Sequence, residues 1–123
     1  MGPRVALTVE LFWSFRSPYS YILLPRIIGL QREFEVEIDL RVAQPAAIRN
    51  PSYFARMDPL ARPYFMADSA RAAAFQNMPF HRPIPDPIDQ DPVILTIAPD
   101  QPLATRLGHL GIAATEIGHG LTF

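Results

Sequence analysis

The chain has 123 residues with 49% apolar, 19% charged and 11% aromatic side chains, a composition that predicts one folded domain and excludes both disorder and two full domains. Its net charge of −1 provides no long-range field for nucleic acid or an acidic membrane surface. All 11 cationic residues are Arg, which leaves no lysine for Schiff-base chemistry, and the absence of Cys removes disulfides, thiolate metal sites and cysteine nucleophiles.

From Val5 to Phe15 every odd position is apolar, with Thr8, Glu10 and Ser14 alternating between them, which predicts a strand. Ser17-Pro18 then predicts a helix start, because Ser is a favoured N-cap and Pro suits the first helical position. The helix is expected to run to about Arg32 on an apolar face of Tyr21, Leu24 and Ile28, with a kink at Pro25. Alternation of Glu35, Glu37, Asp39 and Arg41 with Val36, Ile38, Leu40 and Val42 predicts a second strand. Strand, helix and strand in this span make a βαβ unit with parallel strands.

Beyond Val42 a loop is expected, carrying Asn50-Pro51 and Asp58-Pro59, until Pro63 opens a helix with Tyr64, Phe65, Ala72 and Phe75. On this helix Asp68 and Arg71 are spaced to pair across one turn. Residues 78–92 contain Pro79, Pro83, Pro85, Pro87 and Pro92, which favours an extended connector poor in backbone donors. A last amphipathic helix starts near Pro102, presents Leu103, Leu107, Leu110, Ala114 and Ile117 on one face, and meets Gly118 at its C-cap. The expected layout is a single partial domain, with the βαβ unit in residues 1–42 and a loop and helical insertion in residues 43–123. No window is apolar enough for a membrane span and the N-terminus lacks a leader pattern, so cytoplasm is the expected compartment.

The chemistry concentrates at Phe15-Arg16-Ser17-Pro18-Tyr19-Ser20-Tyr21, where the first strand hands over to the first helix. A helix N-terminus presents unpaired amides and a positive dipole end, the setting that stabilises a thiolate in Cys-x-x-Cys proteins. Here Ser17 and Ser20 stand at that spacing with hydroxyls, so dithiol exchange by this chain is chemically excluded and an anion site remains. A thiolate supplied by a cofactor suits such a site, and glutathione is the natural candidate.

These residues, together with Val9-Glu10-Leu11-Phe12, Pro63-Tyr64-Phe65-Met66-Ala67-Asp68 with Arg71, and Met78-Pro79-Phe80, resemble the kappa-class glutathione transferases and 2-hydroxychromene-2-carboxylate isomerases of the DsbA-like thioredoxin superfamily. The resemblance implies an α/β, thioredoxin-like fold with a helical insertion. It further implies a glutathione-dependent isomerase or transferase acting on an aromatic or conjugated electrophile. On the same ground Ser17 is expected to stabilise the glutathione thiolate, with Pro18 beside it, Asn50 contacting the tripeptide and a basic residue falling close to Arg62. The family's two further strands, its last helix and its Val-Pro-Thr-like cis-proline segment find no match before Phe123. The C-terminal half of the thioredoxin core is thus expected to be missing, supplied by a partner chain or lost in a non-catalytic interaction module. Unpaired strand edges also predict association, and the resemblance implies homodimers.

Each of these residues also has a plainer reading. Ser17 is an ordinary cap, Asn50 a turn initiator, and Arg16 and Arg62 are solvated surface arginines. Trp13, Phe15, Tyr19 and Tyr21 are either an aromatic wall for a planar substrate or core. His81, His109 and His119 lack metal-ligand spacing, and Gly108 and Gly111 suit close helix packing.

Overall fold

The computed structural model describes residues 6–122, so Val5 of the expected first strand lies outside the described residues. Strand β1 spans Leu7–Trp13, helix α1 Pro18–Glu33 and strand β2 Val36–Val42. The two strands pair in parallel, in a register that sets Leu7 opposite Val36 and Trp13 opposite Val42. The βαβ start and the α/β class are therefore those that the sequence patterns predict. β1 stops two residues short of Phe15, because Ser17 donates its N–H to the Ser14 carbonyl at 3.2 Å and closes a turn that redirects the chain into α1. Alternation along both strands puts Leu7, Val9, Leu11, Trp13, Val36, Ile38, Leu40 and Val42 on one face. That face is buried at Trp13 and Leu40 and open at Leu7 and Val9.

Helix α2 (Ala46–Arg49) falls in the expected loop, a single turn too short to show periodicity. Helix α3 spans Ala61–Phe75, starting two residues before Pro63. Its inner side is made by small residues. Tyr64 and Phe75 are exposed, and the buried positions are Ser69 and Ala73, four residues apart on one side. The Ser69 hydroxyl is satisfied within its own helix, donating to the Phe65 carbonyl at 2.7 Å. In α1 the buried residue is Ile22, and of the expected face Tyr21 is exposed while Leu24 and Ile28 are half-buried.

Helix α4 (Pro102–Glu116) also packs through small residues. Ala104 and Gly111 are buried, while Leu103, Leu110 and Ile117 of the expected stripe are exposed. A Cβ on Gly111 would stand 2.4 Å from a ring carbon of Phe15 and 3.3 Å from Val42, so glycine lets α4 lie close over the end of β2 without displacing the Phe15 ring. Gly118, at φ +80°, takes the left-handed position just past the helix, and His119 N–H returns to the Ala114 carbonyl at 2.7 Å. A 3-10 turn, Gly120–Thr122, follows.

The proline-dense stretch is ordered because side chains replace its missing backbone partners. Ile88 N–H donates to Asp86 Oδ1 at 3.0 Å, and Asp89 N–H donates to Oε1 of the buried Gln101 at 2.8 Å. Gln101 Nε2 in turn donates to the carbonyls of Asp89 and Ala98, both at 2.9 Å. Gln90 bridges to Ile97 in antiparallel fashion, and the Ile84–Pro85 peptide is cis. Asp91 turns the chain by accepting the N–H groups of Ile94 and Val93, which hold its carboxyl below the usual range. Ile88 thereby packs with Ala47 and Ala104 in a small core flanked by Ile48, Phe54 and Ile97. Among the described residues no helix is long and apolar enough to cross a membrane.

Candidate functional site at the strand ends

Parallel strands leave a crevice beyond their C-terminal ends, where the connections to the following helices diverge. Here that crevice holds a cavity of about 160 Å³ whose walls include Phe15 and Arg16 after β1, Gln44 after β2, and Ala104, Gly108 and His109 of α4. Its volume is below the roughly 300–1,000 Å³ of ordinary small-molecule pockets, so it has room for a group of a few atoms. A wider, open hollow of about 470 Å³ lies across α4 between Asp100, Arg106 and His109.

Arg16 is not a solvated arginine waiting for a substrate carboxylate. Its Nε and Nη2 donate to the two oxygens of Asp86, each at 3.2 Å, and Nη2 also donates to Gln90 Oε1 at 3.0 Å. Its guanidinium lies 5.5 Å from the centre of the Phe54 ring. With 17% of its side chain exposed, Arg16 ties the β1–α1 turn to the proline-dense stretch 70 residues away. Arg16 forms part of the crevice wall, and its pairing with Asp86 holds the side chain immediately before Ser17.

Ser17 sits in the N-cap position of α1 with extended backbone (φ −74°, ψ 119°), and Pro18 opens the helix. Its hydroxyl makes no capping hydrogen bond, so the plain capping reading does not use the side chain. In the first turn Pro18 has no N–H, and the amides of Tyr19 and Ser20 are among those for which a helix has no internal acceptor. The site thus combines a half-buried hydroxyl with the positive end of a 16-residue helix.

The four aromatic residues do not form one wall. Trp13 is buried, Phe15 packs against Gly111, and Tyr19 and Tyr21 turn outward to brace α1. Tyr19 donates its hydroxyl to Asp68 of α3 at 2.6 Å, and Tyr21 donates to the Pro79 carbonyl at 2.6 Å. Burial of the Tyr19 hydroxyl, then the hydrogen bond to and charge of Asp68, push its pKa up to about 12. Asp68 is therefore engaged by Tyr19 rather than by Arg71.

Asn50 closes α2 and initiates the following turn, with its carbonyl accepting Tyr53 N–H at 2.9 Å and its Oδ1 accepting the Ser52 hydroxyl at 3.1 Å. Arg62 is half-buried in the first turn of α3. No hydrogen bond or ion pair joins Ser17, Asn50 and Arg62 to one another, and none of the three, nor Pro18, is among the residues lining the cavity. The sequence reading missed Asp86 and Gln90, which hold the crevice-lining Arg16, and Gln101, which pins the backbone at Asp89. They lie outside any periodic segment, and their partners are distant in the chain. His109, to which no role was assigned, lines both hollows.

Compared with known proteins, the chain matches no protein-family profile, no curated protein and no solved structure.

Proposed function

We propose that this chain is a thioredoxin-like, glutathione-dependent isomerase or transferase of the cytoplasm, acting on an aromatic or conjugated electrophile. The observation that carries the reading is the Ser17 hydroxyl, held at the β1–α1 junction and not spent on capping its own helix. An oxygen donor there, beside first-turn amides and the helix dipole, favours a thiolate over a thiol by charge-assisted hydrogen bonding. Ser17 and Pro18 suit the sulfur end of glutathione, since a half-buried hydroxyl stands there at the start of a 16-residue helix. Glutathione, when bound, supplies a thiolate that adds to a conjugated double bond and either leaves after rotation about it or remains in the product. Ser17 orients and holds that sulfur, Pro18 fixes the turn that presents it, and Asn50 and Arg62 are assigned to the peptide portion. Arg16 serves by positioning, through Asp86.

Calorimetric titration of the purified chain with reduced glutathione tests the assignment. Saturable binding that falls about tenfold or more in Ser17→Ala, the loss of one charge-assisted hydrogen bond, supports it. Counting free thiols during turnover then separates an isomerase, which conserves them, from a transferase, which consumes them.

A second reading, a non-catalytic thioredoxin-like interaction module, is favoured by the uncovered end of the sheet at Leu7 and Val9. It predicts a folded chain without affinity for the tripeptide.

A further inference from the structure

Ser17, Pro18, Asn50 and Arg62, assigned to glutathione, all stand outside the lining of the cavity beyond the strand ends. That lining is apolar over most of its extent, with Phe15, Val42, Ile48 and Leu107 among its walls. Protein interiors are close-packed, so a hollow of about 160 Å³ among such side chains is an exception. A void of about 150 Å³ lined by leucine, isoleucine and phenylalanine takes up benzene, which sets the size of a fitting guest at one six-membered ring. Gly108 keeps the hollow open. It lies inside α4, where only proline is less favourable than glycine, and no neighbouring atom stands within 4 Å of an ideal Cβ there. Packing therefore does not call for glycine at this position, in contrast to Gly111, and a side chain here would extend into free space at the cavity wall.

We propose that this cavity binds a single-ring, uncharged molecule carrying one hydroxyl group, the class of phenol. Its rim carries Gln44, Thr105 and His109, all exposed, and among the described residues none of their side chains holds a hydrogen bond. Together they offer donors and acceptors, which suits a hydroxyl, itself both. Formal charge on the guest is not matched. Arg16 already holds both oxygens of Asp86, and no Asp or Glu stands in the lining. A carboxylate would thus compete with Asp86, and an ammonium would lose its hydration without a partner. Apolar walls with a few polar groups at the mouth are the pattern of small-molecule sites, here at the scale of one ring. The site is separate from the one assigned to the glutathione sulfur, and this inference does not rest on that assignment.

Calorimetric titration of the folded chain with phenol, in the absence of glutathione, tests the proposal. Saturable binding at one site with a Kd below about 1 mM is expected. Benzoate, the same ring with a charge, and 1-naphthol, the same hydroxyl on two fused rings, are each expected to bind at least about tenfold more weakly. Adherence to exposed apolar surface would give the opposite order for 1-naphthol, the more apolar molecule. Gly108→Leu, which fills the cavity from a position with room for the side chain, is expected to abolish binding while keeping the helical circular dichroism of the chain. The amide NMR spectrum gives a readout that needs no variant, since phenol should shift Phe15, Val42, Ala104 and Gly108. No saturable phenol binding by the folded chain, benzoate or 1-naphthol binding as tight as phenol, undiminished binding by folded Gly108→Leu, or shifts confined to residues elsewhere would overturn the proposal.

Discussion

Arg16 donates to both oxygens of Asp86 and to Gln90 in a half-buried setting, so removing its guanidinium strands an acceptor pair as well as losing its own bonds. Arg16→Met is expected to lower unfolding free energy by about 2 kcal/mol in urea titration, the scale of hydrogen bonds to charged groups. An unchanged midpoint would show the Asp86 contact to be dispensable. Tyr19 gives a titration signature. Its pKa, about 12 in the fold, stands above the ordinary phenol value of 10.0, so the neutral form is favoured by folding. Its contribution is fully present below pH 10 and declines as pH rises from there through 12. Phenolate absorbance should show one tyrosine titrating late, and Tyr19→Phe should remove that step and flatten the stability loss over the same pH range.

At the scale of elements, Gly29 and Gly111, two of the three glycines inside helices, make opposite predictions. Gly29, inside α1, has open space where a Cβ would project, so Gly29→Ala should stabilise by about 0.5–1 kcal/mol through helix propensity. Gly111 faces the Phe15 ring at 2.4 Å and Val42 at 3.3 Å from an ideal Cβ, so Gly111→Ala should destabilise by about 1–3 kcal/mol despite the same propensity gain. Paired chemical denaturation curves check both signs. Strands and long helices were legible because their periodicity is local: the alternation from Leu7 to Trp13 and from Val36 to Val42 is visible without the fold. Which helix face is buried was not legible. Apolar patterning pointed to Leu103, Leu107 and Leu110, yet Leu103 and Leu110 are exposed, Leu107 is half-buried, and α4 turns Ala104 and Gly111 inward, where the close approach of Phe15 and Val42 to Gly111 favours a small residue. For the candidate site, Ser17 and Pro18 were readable as a strand-to-helix turn. Asp86, Gln90 and Gln101 were not, since each acts through a partner distant in the chain or within an aperiodic loop.

For the whole molecule, one end of the sheet is uncovered at Leu7 and Val9. An interaction module that associates through that end links its stability to mass action, so its thermal midpoint, read by circular dichroism over a tenfold dilution series, would rise with protein concentration; a midpoint independent of concentration counts against that second reading. The functional account rests elsewhere, on the junction where β1 turns into α1. Its most direct test is calorimetric titration of reduced glutathione into the folded chain and into Ser17→Ala. Saturable binding by the first and at least about tenfold weaker binding by the second is the result the account predicts. No binding by the folded chain, or equal binding by both, would contradict it.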